Sequence, residues 1–233
     1  RELIKRTMLA KKIAFDDAKL DTMLELFLSH YTKNIDDDSK LYNNVKETLV
    51  FLKDNNIKTI CLMGNHDEFM IDFLFNNKNN IQNWLNFGLD QTLRSYGIEV
   101  VDFIKDGFGD DIIDQLRNTL LSTMSEEHVN FFKDLELSFS SEKYLFVHAG
   151  IDPKKTLEDQ TKEDFLWSRS KSFFDKDFKA QKIIVHGHTP EENIINNSHR
   201  INIDTGCYFS GKLSSVCLSD HDESRLFINN LLK

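Results

Sequence analysis

The chain has 233 residues, 40% of them hydrophobic and 29% charged, with a net charge of −9. That is enough apolar material for a buried core, which excludes a disordered chain, and without a Lys/Arg-rich run it lacks the basic face that duplex binding requires, so no nucleic acid is expected as a partner. Three cysteines outside metal-binding spacing (Cys61, Cys207, Cys217), no apolar run of membrane-spanning length and no secretory signal pattern together predict a reduced, cytoplasmic protein that engages no membrane.

Along the chain, Leu3, Ile4, Met8, Leu9 and Ile13 follow helical spacing. Residues 19–31 fit a helix or a strand equally well. A polar loop from Asp36 to Ser39 is suited to cap a helix over about 40–54, with Leu41, Val45, Leu49 and Leu52 on one face. Residues 58–63 (KTICLM) read as a short buried strand that ends in Gly64, Asn65, His66 and Asp67. Residues 66–139 are mostly helical by pattern, with Trp84, Leu85, Phe87, Leu93, Phe131 and Phe132 as candidate core. Strands then return at 141–150, 182–190 and 200–206, followed by a hairpin of 214–219 with 224–229 around Asp220, His221 and Asp222. No repeat or low-complexity linker interrupts this order, so 1–233 reads as one domain with a helical insert at about 67–139.

Four strand ends carry groups that can bind metal: Asn65 with His66, then His148, His188 and Asp204. Polar groups at several strand ends are how a sheet builds a site along its rim. A single histidine is more often a surface or hydrogen-bonded core residue, and His128, His199 and His221 are assigned to that ordinary class. The others stand out by a repeated pattern of apolar strand, imidazole and then glycine or another small residue. Gly64, Gly150, Gly187 and Gly206 are four of only nine glycines, placed where the backbone must turn sharply or approach a ligand.

The segments MGNHDE, LFVHAGIDP, FLWSRSKSF, IVHGHTP and INIDTGCYFSGKL, in that order, resemble the calcineurin-like metallophosphoesterases. More narrowly, with NWLNFGLDQTLRSYG and LEDQTKEDFLW, they resemble the bacterial serine/threonine protein phosphatases and their diadenosine-tetraphosphatase relatives, over about residues 40–220. The resemblance implies an α/β (α+β) fold, a two-sheet β-sandwich flanked by helices. It also implies a hydrolase with a two-ion divalent metal site, expected to hold manganese, with iron, zinc or nickel as other candidates. Asn65, His148 and His188 would ligate metal, His66 would act as general acid, and Arg169 would bind phosphoryl oxygens. Asp67, Asp204 and His186 would support the site. The expected substrate is a phosphoprotein or a dinucleoside polyphosphate.

The family pattern opens with a strand ending in Asp-x-His-Gly, whereas RELIKRTMLAKKIAFDD resembles the helix after it, so the fold is expected to lack its first strand. The Gly-Asp-x-x-Asp-Arg-Gly motif is degenerate. Within FLSHYTKNIDDDSK, one alignment sets His30 at the bridging aspartate, and another sets Lys33 there with Asp36 as the second carboxylate. An ammonium at a bridging position repels metal. Met63 occupies the place of a further phosphate-binding arginine. One ion or none is therefore expected, with impaired turnover. The alternative is a catalytically dead relative, serving as a binding module for a phosphorylated partner or persisting as a non-functional remnant. A nuclease of the same superfamily is disfavoured by the acidic charge.

Overall fold

Short runs rich in β-branched and aromatic residues, such as Tyr-Leu-Phe-Val and Ile-Ile-Val-His, suit strands covered on both faces. The computed structural model describes residues 13–34, 41–76, 81–85, 87–100, 103, 110–175, 178–219 and 225–230. It places those runs at the centre of a mixed five-stranded sheet, β1 (Ser138–Ser140), β2 (Tyr144–Val147), β3 (Ile183–His186), β4 (Ile195–Asn196) and β5 (Arg200–Asn202), in the order β1-β2-β3-β5-β4. Strands β2, β3 and β5 are parallel, with Phe146 opposite Val185 and Val185 opposite Ile201. β1 and β4 pair antiparallel at the two edges. Because the three central strands run the same way, their C-terminal ends share one rim.

Alternation along these strands fills both faces. Leu145, Val147 and Ile184 pack with Ile151, Phe165 and Phe173 on one side. Tyr144, Val185 and Ile201 pack on the other, with partly buried Val216 and Leu218 against them. Val216 lies on β6 (Lys212–Cys217), which pairs antiparallel with β7 (Arg225–Asn230) as a separate hairpin. The helices are α1 (Asp17–Asn34), α2 (Val45–Asp54), α3 (Asn65–Phe75), α4 (Ile81–Leu85), α5 (Leu89–Ser95), α6 (Asp110–Thr123), α7 (Glu126–Lys133), α8 (Lys162–Trp167), α9 (Lys171–Phe174) and α10 (Cys207–Ser210). The result is a mixed α/β fold with a central mixed sheet flanked by helices, as the calcineurin-like resemblance implies.

The chain separates into two compact units, one of Arg1–Leu41 with Ile81–Met124, the other of Tyr42–Asn80 with Ser125–Lys233. In the first, α4 packs on α5, and Trp84, Leu89, Leu93, Leu116 and Leu120 are buried. The second contains both sheets and every residue of the candidate site considered below except His30 and Asp36.

Several expectations are corrected or resolved. Residues 19–31, ambiguous by pattern, lie within helix α1. Residues 58–63 do not form a strand. The segment makes one parallel bridge, Leu62 to Glu136, and Lys58, Thr59 and Cys61 are exposed, because no described strand pairs along its other side. The helix expected from about 40 begins at Val45, after Asn44 in a left-handed conformation, and buries no residue. Leu41 and Leu49 on its expected apolar face are 73% and 55% exposed, so no described element covers them. Phe87 and Phe131 are also exposed, whereas Trp84 and Leu93 are core as expected. Residues 1–12, the polar loop at 36–39 and the hairpin turn at 220–222 lie outside the described residues.

Candidate metal centre

Three side chains from separate elements meet at the sheet rim. His148 follows β2, His188 follows β3 by two residues, and Asn65 opens α3. His148 Nε2 lies 2.9 Å from Asn65 Oδ1 and 3.0 Å from His188 Nδ1. The two imidazole rings stand 4.8 Å apart, steeply inclined to each other.

Local rules explain each placement. Gly64 leaves room for the site, since a Cβ there would stand 3.2 Å from Asp67 Oδ2 and 3.3 Å from the His148 ring. The Gly64 N–H donates to Asp67 Oδ2 at 2.7 Å, so this carboxylate caps the start of α3. Gly150, at φ 150°, lets Phe173 pack directly beneath the turn after His148, where an added Cβ would come within 2.7 Å of the ring. His188 itself has φ 65°, a left-handed conformation in which non-glycine residues are uncommon.

The electrostatics keep both imidazoles neutral. Burial, then electrostatic repulsion from His66 and Arg169, pushes His148 down to about 4. Burial, then His148 and Arg169, pushes His188 down to about 4, against a smaller opposing pull from Asp204. Their ring lone pairs are therefore available at neutral pH. His148 Nε2 stands within hydrogen-bond distance of both Asn65 Oδ1 and His188 Nδ1, so three atoms of types that can ligate a cation gather at one point. Among the described residues, no group of three or more His, Cys, Asp or Glu side chains is gathered to hold a metal, and the candidate donors that meet are two imidazoles and an amide.

The other expected residues fall into three groups. His66 is exposed one residue into α3, and its ring meets Phe69 edge-on. Arg169 is exposed and makes no ion pair with any described residue. It lines an open cleft of about 370 Å³ with Asp152, Lys154 and Trp167. Asp204 reaches the rim beside Gly187, and its Oδ1 also accepts the Gly206 N–H at 2.9 Å. His186 is buried below the rim. The backbone of His30 lies in α1, but its side chain, like the whole of Asp36, falls outside the described residues.

Sequence reasoning missed several participants. Glu68 accepts the Trp167 Nε1–H at 2.8 Å and pairs with Lys162 at 3.0 Å, which ties α3 to α8. That tie holds the Trp167 ring edge-on to His188, 6.2 Å away. Glu68 was visible as the residue after GNHD. Arg200 and Asn202 lie on β5, buried to 5% and 0% exposure. Their signal was the polar residues alternating with isoleucine in RINID.

A groove of about 240 Å³, mostly apolar, runs from Leu62, Phe146 and Val185 to His148 and Asp204 at the rim. No helix among the described residues is long and apolar enough to cross a membrane. Among curated proteins, none matches the chain. The family model for calcineurin-like phosphoesterases matches residues 28–222, and the chain belongs to that family.

Proposed function

We propose that the chain is a phosphoester hydrolase of the bacterial serine/threonine-phosphatase kind whose turnover is weakened by an incomplete metal centre. Metal-dependent phosphoester chemistry follows from the family. The observation that supports a metal centre in this chain is the convergence of Asn65 Oδ1, His148 Nε2 and His188 Nδ1 within 3.0 Å contacts, while the serine/threonine-phosphatase kind rests on the sequence resemblance. These atoms would hold one divalent cation, with Mn²⁺ the first choice, and Asp204 would stand beside them. When bound, the cation supplies Lewis-acid polarisation of a phosphoryl oxygen.

The chain's own residues supply the rest. The Arg169 guanidinium, free of ion pairs among the described residues, offers a planar fork for two phosphoryl oxygens of an anionic substrate. His66, exposed beside Asn65, delivers a ring proton to the leaving oxygen. The Trp167 ring excludes water on the His188 side. The impairment rests on the ligand count, because no carboxylate cluster accompanies the two imidazoles among the described residues. The same observation favours, as a second reading, a catalytically dead relative that binds a phosphorylated partner.

Metal content by mass spectrometry and hydrolysis of an aryl phosphate with added Mn²⁺ test both readings. The expected result is no more than one bound ion and slow, Mn²⁺-dependent turnover that His66→Ala abolishes. Two ions with robust turnover overturn the impairment. A bound ion without turnover selects the binding module. Hydrolysis that is indifferent to both Mn²⁺ and His66→Ala overturns the proposal.

A further inference from the structure

His188 adopts a strained backbone conformation at φ 65°, and such strain persists only where the surroundings over-determine it. The turn it belongs to is short and tightly bonded. The Gly187 N–H donates to the His148 carbonyl at 2.9 Å, and the Thr189 N–H closes back onto the Gly187 carbonyl at 2.7 Å. That same Gly187 carbonyl also accepts from His186 Nδ1 at 3.0 Å. On the far side, Asn202 Nδ2 donates to the Thr189 carbonyl at 2.8 Å, while Asn202 Oδ1 accepts the Asp204 N–H at 2.9 Å. Side chains from β3 and β5 therefore grip both ends of the turn.

Arg200 completes the grip. Its Nη1 donates to His186 Nε2 across 3.3 Å, which makes Nε2 the acceptor and leaves the ring proton on Nδ1, where it bonds Gly187. Arg200 is 5% exposed, its guanidinium carbon lies 4.9 Å from the centre of the Phe174 ring, and it makes no direct ion pair among the described residues, the charge of Glu191 acting on it from further off. A buried cation without a direct ion pair and a fully buried amide are costly in an apolar layer. Neither touches Asn65, His148 or His188. Their bonds run to the turn that carries His188.

We propose that Asn202, and Arg200 acting through His186, are positioning residues that lock the Gly187–Thr189 turn left-handed so that His188 Nδ1 meets His148 Nε2 and Asn65 Oδ1. The inference rests on the reading of His188 as a metal ligand. The lock sets metal affinity because ligands held in place before binding need no reordering when the cation arrives.

The decisive comparison is His186→Asn against His186→Gln in the full chain. An asparagine amide nitrogen overlies Nδ1 and keeps the bond to Gly187. A glutamine amide reaches the Nε2 position and loses that bond. Mn²⁺ binding to metal-stripped protein is measured by titration calorimetry, and amide hydrogen exchange at Thr189 is measured without metal. His186→Asn is expected to hold Mn²⁺ within a few-fold of the parent. His186→Gln, Arg200→Met and Asn202→Ala are expected to weaken it by about 10–100-fold and to speed exchange at Thr189. A purely structural role predicts that the two His186 variants lose affinity in step with their metal-free melting temperatures, and that outcome overturns the proposal. So does parental affinity in both His186→Gln and Arg200→Met. If Asn202→Ala fails to fold, the His186 pair and Arg200→Met still decide. A parent chain that takes up no Mn²⁺ overturns the metal reading instead, and Thr189 exchange in Arg200→Met then decides whether the lock exists.

Discussion

The two sides of the candidate centre are built differently. His148 and His188 leave strands that are bonded on both flanks and buried on both faces. Asn65 leaves a segment that makes, among the described residues, one strand-like bridge, Leu62–Glu136, and is preceded by a helix that buries nothing. The imidazoles are thus oriented by a cooperative sheet. The amide is oriented by the first turn of α3, by Asp67 capping that turn, and by the Glu68 tie to α8. The sheet side resists change through packing, whereas the amide side depends on a few polar contacts that can be removed one at a time.

Mutation can break that contrast most sharply at the sheet. Phe173 is fully buried beneath the His148–Gly150 turn, so Phe173→Ala should cost about 3–5 kcal/mol in chemical denaturation. A loss below 1 kcal/mol would mean that this side is not tightly packed.

Acid should act on the same side. Burial, with a further push from Arg200, holds His186 at about 4, compared with 6.5 for the ordinary imidazole. Between those values the unfolded chain binds the proton and the folded chain does not. Stability should therefore be intact above about pH 6.5 and decline as the pH falls toward 4, by about 3 kcal/mol for this residue. Unfolding free energies at pH 7, 6, 5 and 4 check the sign, since a flat profile would contradict it.

The amide side should respond to polar changes. Glu68→Ala removes the acceptor for Trp167 and the partner of Lys162, and should cost about 1–2 kcal/mol. Mn²⁺ affinity should fall with it, as calorimetry can record, because Asn65 and Trp167 lose their common anchor. The smallest effect belongs to the exposed helix. Leu49→Ala should shift stability by no more than about 0.5 kcal/mol. A larger loss would show that this face is covered in solution.

Much of the architecture was legible because it repeats locally. The central strands could be read from their apolar runs and the closing hairpin from two such runs in succession. The imidazoles at strand ends were legible because each follows closely on an apolar run with a glycine within two residues. Residues 58–63 misled for the same reason. KTICLM has the composition of a strand, but a strand needs a neighbour to pair with, and composition does not reveal one. Leu41 and Leu49 misled similarly, because an apolar stripe predicts burial only where something covers it. Glu68, Arg200 and Asn202 were missed because their value lies in partners distant along the chain, such as Trp167, His186 and Thr189.

What the sequence determined by itself was the set of chemical groups and the elements that carry them, since short-range periodicity and turn chemistry act within a few residues. Only the tertiary structure decided that an amide and two imidazoles meet within 3.0 Å contacts, that burial keeps those imidazoles neutral, and that β5 grips the turn bearing His188. Distance, desolvation and partnership all depend on which strands lie side by side, and that pairing is a property of the whole fold.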